Sequence, residues 1–174
     1  MALLKALLAL GALLVGVLLA GALLLSPHYQ VSRSVLIKAP AERVFAHLDS
    51  PAGWARWGVW YRKDPQMKVT PEGSAQGVGA AWSWTSKSEG NGRMKLTAVE
   101  AGKRVGYELQ IEDFNPSTGQ LELVPEAGGT RVTWTMQGDV GHRLARWFAF
   151  FMDRLVGPDF EAGLANLKQL AEKQ

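Results

Sequence analysis

The chain has 174 residues, with 19 lysines and arginines against 16 acids and no cysteine. That length fits one domain with an extra segment. The missing cysteines exclude disulfides, thiolate nucleophiles and Cys-based zinc sites, and the interspersed charges contain no basic cluster of the kind that binds nucleic acid.

From Ala6 to Leu25 every residue is Ala, Leu, Val or Gly. A helix rises about 1.5 Å per residue, so this run spans roughly 30 Å, the thickness of a hydrocarbon core. Residues 1–25 therefore read as a transmembrane anchor. A secretory signal peptide is the alternative, because Ala20-Gly21-Ala22 offers a cleavage site, but Leu23-Leu24-Leu25 continues the apolar run beyond it. Lys5 and the α-amine favour a cytoplasmic N-terminus and a domain outside the cytoplasm, a bias that Arg33 and Lys38 weaken. Ala12, Gly16 and Ala20 recur every four residues. Such a stripe serves a homodimer of membrane helices, and it also arises by chance in a Leu/Ala/Gly segment.

Residues 26–30 are a short linker, with Ser26-Pro27 ending the first helix. The domain then occupies residues 31–174. Val31 to Ile37 is rich in β-branched residues and reads as a strand. Pro40 at a first helical position, with Val44, Phe45 and Leu48 on one face, predicts a short helix over 40–48. Ser50-Pro51 repeats the start signal for a second helix to about Arg56. After a loop at Gly73 to Gly77, five strands are expected: Val78–Ser86, Arg93–Val99, Val105–Ile111, Gln120–Val124 and Thr130–Gln137. Turn signals separate them at Glu89-Gly90-Asn91-Gly92, Gly102, Asn115–Gly119 and Gly128-Gly129. Val105, Tyr107, Leu109 and Ile111 alternate with polar residues, as do Val132, Trp134 and Met136, so these strands are half-buried in an antiparallel meander. Arg143 to Val156 is helical. Gly157-Pro158 interrupts it, either as a hinge or as a static kink. A second segment follows with Phe160, Leu164, Leu167 and Ala171 on its apolar face. The class is α+β, with a curved sheet that buries its concave face against the C-terminal helix and leaves a cavity.

This order and its local motifs resemble the START/SRPBCC superfamily, the polyketide cyclase/dehydrase and lipid-transport group. The resemblance runs from about Val31 to Glu172. It is carried by Ser32-Arg33-Ser34-Val35-Leu36-Ile37-Lys38-Ala39-Pro40 followed by Val44-Phe45, and by the tryptophans Trp54, Trp57 and Trp60. Gly77-Val78-Gly79, Gly92-Arg93-Met94, Thr130-Arg131-Val132-Thr133-Trp134 and Asp159-Phe160-Glu161-Ala162-Gly163-Leu164 continue it. The resemblance implies a helix-grip (START-like) fold around a pocket for apolar molecules. Bacterial members that look like this chain often carry an N-terminal membrane helix, which implies a single-pass protein of the bacterial inner membrane. The fold hosts binders, carriers and enzymes alike.

Seven tryptophans are present. Trp57 and Trp60 follow Trp54 at three-residue spacing, Trp82 and Trp84 share a strand face, and Trp134 points inward from another. They read either as the aromatic wall of a ligand pocket or as core filling. Met94, Tyr107, Leu109, Phe160 and Leu164 join them as candidate ligand contacts by alternation and helical spacing. No cofactor and no metal site is expected: His28, His47 and His142 show no ligand spacing, and His47 falls near the polar side of its helix. Glu112-Asp113 and Asp159/Glu161 read as structural acids, the latter pair as dipole partners opening a helix. Gly77-Val78-Gly79 reads as a strand entrance. From Arg143 to Arg154 the chain is basic and aromatic. Leu144, Trp147, Phe148, Phe151 and Leu155 form the expected inward stripe, while Phe150 falls with Arg143, Arg146 and Asp153 on the other side, either as a membrane contact or packed under a neighbouring loop.

These features point to a membrane-tethered binding or carrier domain for a small hydrophobic ligand, a lipid or an aromatic metabolite. A cyclase- or dehydratase-type enzyme using the same cavity is one alternative, although no convincing acid–base group is visible. A stress-response or interaction module with a vestigial pocket is the other.

Overall fold

The computed structural model describes residues 1–112 and 114–173. Asp113, half of the Glu112-Asp113 pair, lies outside the described residues. Helix α1 (Ala2–Leu24) comes first and is long and apolar enough to cross a membrane. Strand β1 (His28–Ile37) follows, then three short helices, α2 (Ala41–Phe45), α3 (Pro51–Trp57) and α4 (Trp60–Lys63). Six strands come next: β2 (Lys68–Gly73), β3 (Ala80–Thr85), β4 (Gly92–Glu100), β5 (Arg104–Ile111), β6 (Ser117–Glu126) and β7 (Gly129–Asp139). Helix α5 (Arg146–Glu172) ends the chain.

The seven strands form one antiparallel sheet in the order β1-β7-β6-β5-β4-β3-β2. Strands β2 to β7 are a meander, and β1 adds to its far edge, pairing Val31 with Met136 and Val35 with Val132. A register shift between Leu96 and Ala98 marks a bulge opposite β5, a device that increases local bending and twist. Helix α5 crosses the concave face and buries Phe160, Leu164, Leu167 and Ala171, as their spacing predicts. This is the helix-grip architecture.

Two elements escape the sequence reading. Strand β2 carries Pro71 and hydrogen-bonds only to β3. A proline, having no N–H to donate, is tolerated on such an edge. Helix α4 has four residues, too few for periodicity to reveal.

Three expectations are corrected. First, Gly157-Pro158 does not interrupt α5, which runs on through Pro158. Proline removes one helical donor and crowds the preceding turn, so the helix needs support there. Arg33 of β1 provides it, donating from Nη1 to Asp153 at 2.7 Å and from Nε to Glu161 at 2.7 Å, one carboxylate on each side of the proline. Gly157 is needed for this arrangement because a side chain there would collide with the guanidinium. The ion pair holds the Asp153 carboxyl below the usual carboxylate range. Asp159 and Glu161 consequently sit mid-helix as ion-pair partners, Asp159 with Lys63 and Glu161 with Arg33, and are not dipole partners at a helix start.

Second, His47 is buried. Helix α2 stops at Phe45, so the helical wheel that placed His47 on a polar side does not extend to it. Its backbone carbonyl accepts the indole N–H of Trp57, and neither ring nitrogen has a partner among the described residues. Burial, aided by Arg56, pushes its pKa down and keeps the ring neutral. Third, Leu144, Phe148, Phe151 and Leu155 do not face inward. They are exposed on the first turns of α5 and, for Leu144, on the turn just before it, beyond the part of the helix that lies on the core.

Two outcomes follow. Arg33→Ala removes two partly exposed ion pairs that bracket Pro158, so amide exchange at residues 153–157 accelerates several-fold while β4 to β6 are unaffected. For His47, the unfolded imidazole takes up a proton below its ordinary pKa of about 6.5 and the folded one resists it, so stability is full above that pH and falls as pH drops. The unfolding free energy of the full chain in micelles, from urea titrations, should decline between pH about 7.5 and about 5.5, by at most about 1.4 kcal/mol per pH unit, and His47→Leu should flatten that decline.

Candidate functional site

The core between sheet and helix is mostly aromatic. Phe160 of α5 stacks on Trp134 of β7, with ring centroids 3.9 Å apart and planes 9° from parallel. Trp57 meets Trp134 edge-on at 5.2 Å, and Trp54 meets both Trp57 at 4.7 Å and Tyr107 at 5.4 Å. Each buried polar tip is used. Trp134 Nε1 donates to the Tyr107 hydroxyl at 2.7 Å, Trp54 Nε1 to the Leu48 carbonyl at 2.7 Å and Trp57 Nε1 to the His47 carbonyl at 3.0 Å. Aromatic edge and stacking contacts add about 0.5–1.5 kcal/mol each beyond area burial, so this block is a rigid seat for α5. Gly163 lets the helix approach, since a Cβ there would press on Trp134 and Trp57.

Beside the block the packing leaves a cavity of about 140 Å³. The alternation of β5 supplies Tyr107, Leu109 and Ile111, strands β3, β4 and β7 supply Trp84, Met94 and Met136, and α5 supplies Val156, Asp159 and Phe160. Helix α4 and the loops close it with Trp60, Tyr61, Met67 and Glu89. The lining is overwhelmingly apolar, and its ionisable members are Tyr61, Tyr107, Glu89 and Asp159. Burial pushes the Tyr61 phenol up to about 12 and raises Tyr107 further, so both stay protonated at neutral pH and can donate hydrogen bonds. Asp159 is engaged by Lys63 Nζ at 2.7 Å from both carboxylate oxygens, a bond that ties α4 to α5 at the cavity wall.

Of the ten candidate ligand contacts, the structure brings six to this cavity: Trp60, Trp84, Met94, Tyr107, Leu109 and Phe160. Trp57, Trp82, Trp134 and Leu164 lie outside its lining, packed into the core. Sequence reasoning passed over Ile111, Met136 and Val156. Ile111 and Met136 continue the alternations of Leu109 and Trp134 by two residues. Val156 sits one helical turn before Phe160, a relation hidden by the assumed break at Pro158. Tyr61, Met67 and Glu89 carry no periodic signal. Arg143, in the single turn before α5, and Arg146 and Phe150, in the first turns of α5, lie outside the cavity lining, and Arg146 donates to the carbonyls of Leu23 and Leu25. Among the described residues no group of three or more His, Asp or Glu side chains is placed to hold a metal ion.

Comparison with known proteins places this geometry. Solved structures share the fold at low identity. A protein of unknown function from Staphylococcus aureus superposes with a TM-score of 0.65 at 11% identity, covering 84% of this chain and 94% of the other. A protein from Rhizobium leguminosarum gives 0.63 at 20% identity, over 84% and 96%. The di-domain ARO/CYC StfQ from the steffimycin biosynthetic pathway gives 0.63 at 12% identity, over 84% of this chain and 51% of that one. No curated protein matches the sequence. Residues 28–172 match the family model described as polyketide cyclase / dehydrase and lipid transport, and the chain belongs to that family.

Proposed function

We propose that this protein is a membrane-tethered binding protein that sequesters or hands over a small apolar molecule, with α1 as an uncleaved single-pass anchor. The observation that carries this reading is the cavity itself: apolar, walled by Trp60, Trp84, Tyr107, Phe160 and methionines, and seated on a rigid aromatic block. Dry apolar cavities of roughly 150 Å³ accept a benzene-sized guest. A cavity of about 140 Å³ therefore selects a ring-sized molecule or the end of a chain. A whole lipid requires α4 to move, and the Lys63–Asp159 tie is what resists that movement. Methionines, being flexible and polarizable, adapt the wall to guests of different shape. The charge of Lys5 orients the N-terminus to the cytoplasm and the domain to the extracytoplasmic side of a bacterial inner membrane.

The cyclase or dehydratase reading draws on the family name and must route proton transfer through the wall. Both phenols stay protonated at neutral pH and so are not available as bases, and Asp159 is engaged by Lys63. That leaves Glu89, on the loop before β4, as the group such a mechanism would have to use.

The test uses fluorobenzene and fluorine NMR on the full chain in nanodiscs. The parent should give a bound resonance distinct from the lipid-dissolved probe. Leu109→Trp fills the cavity at a cost of about 1–3 kcal/mol in stability and should abolish that resonance. A parent without a bound signal, or a signal unchanged in Leu109→Trp, contradicts the reading.

A further inference from the structure

The start of α5 and the turn before it leave an unusual amount of apolar surface uncovered. Leu144, Phe148, Phe150, Phe151 and Leu155 are between 41% and 61% exposed. Soluble monomers rarely expose a contiguous apolar patch of this kind. At 100° per residue, Phe148 and Phe150 project about 200° apart, on nearly opposite sides of the helix. A protein partner covers one face of a helix, whereas the headgroup–acyl boundary takes apolar side chains from both sides and accommodates charged ones such as Asp153 and Arg154 among them.

The contacts with α1 say which medium. The uncharged run between Lys5 and Ser26 matches the hydrocarbon thickness with little slack, so Ser26 marks one membrane boundary. Arg146 donates to the carbonyls of Leu23 at 3.0 Å and Leu25 at 3.3 Å, which puts its guanidinium at that boundary, on acceptors that a helix end leaves unsatisfied. The indole N–H of Trp147 reaches the Leu18 carbonyl at 3.2 Å, and its ring lies against Gly21, where any side chain would collide with it. Leu18 is about 10 Å down the helix from Leu25. Trp147 therefore sits below the boundary and Arg146 at it, the order in which tryptophan and basic residues anchor a membrane interface. Exposed Arg143 and Arg154 flank the patch and can reach lipid phosphates.

We propose that residues 144–155 are immersed in the headgroup–acyl boundary of the leaflet from which α1 emerges, as a second membrane element that fixes the domain against the bilayer. This rests on the reading of α1 as an anchor that spans the membrane. The same helix lines the cavity with Val156 and Phe160 immediately after the immersed turns, so the cavity is held within one to two helical turns of the lipid.

The absence of cysteine allows single nitroxide labels without further changes. Phe148→Cys, Phe150→Cys, Leu13→Cys in mid-α1 and Glu122→Cys on exposed β6 are labelled in phospholipid vesicles, and collision with oxygen is compared with collision with a water-soluble nickel chelate. The inference expects the oxygen preference at positions 148 and 150 to exceed that at 122 several-fold, with position 13 higher still. Positions 148 and 150 behaving like 122 while 13 is deep overturns the immersion and leaves the anchor standing. Position 13 behaving like 122 overturns the anchor and the immersion with it.

Discussion

The stack of Phe160 on Trp134 governs the rest of this structure. It sets how closely α5 approaches the sheet, and Trp134 passes that constraint to β5 through its hydrogen bond to Tyr107. Trp54 and Trp57 brace the same seat from α3, held by the carbonyls of Leu48 and His47. Toward the C-terminus the helix is fastened further, with Lys168 Nζ donating to the Leu36 carbonyl and Asn166 to that of Trp57. Truncating a large buried aromatic costs about 3–5 kcal/mol, a large share of the stability of a domain this size. The cavity exists because the seat is occupied by flat, rigid rings that cannot relax into the space beside them. The imidazole of His47, without a partner among the described residues, is a cost accepted beside it.

The legible parts of the fold were those with a strong period. Strands β5 and β7 alternate cleanly because one face packs on the core, and the second half of α5 shows its stripe for the same reason. What escaped is what periodicity cannot encode. Strand β2 is an edge strand containing proline, and α4 is a single turn. Pro158 reads as a break until Arg33, 120 residues earlier than Asp153, is seen to bridge it. His47 lies past the end of α2, where a helical wheel no longer applies. The site shows the same division. Alternation located Tyr107, Leu109 and Met94, yet it could not separate a tryptophan that lines a cavity from one that fills the core, since Trp82 and Trp84 share a strand face and only Trp84 reaches the cavity. That distinction depends on where the helix lies over the sheet, which is tertiary information.

The stripe at the start of α5 carries the same lesson. A helical wheel identifies Leu144, Phe148, Phe151 and Leu155 as apolar, and only the structure shows that no core lies beneath them. Their neighbour is α1, through Trp147 and Arg146. Small residues in α1 serve close packing at Gly21, while Ala12, Gly16 and Ala20 stay uncovered along the helix. One continuous helix thus links the apolar N-terminal segment to the aromatic seat and its cavity.

The central claim is that the cavity beside the Phe160–Trp134 stack holds a small apolar molecule. Native mass spectrometry of the full chain, purified in mild detergent and released gently in the gas phase, tests it most directly. A one-to-one adduct of a small molecule that survives gentle release and is missing from Leu109→Trp is the predicted result. The bare chain mass alone, before and after equilibration with fluorobenzene, would contradict it.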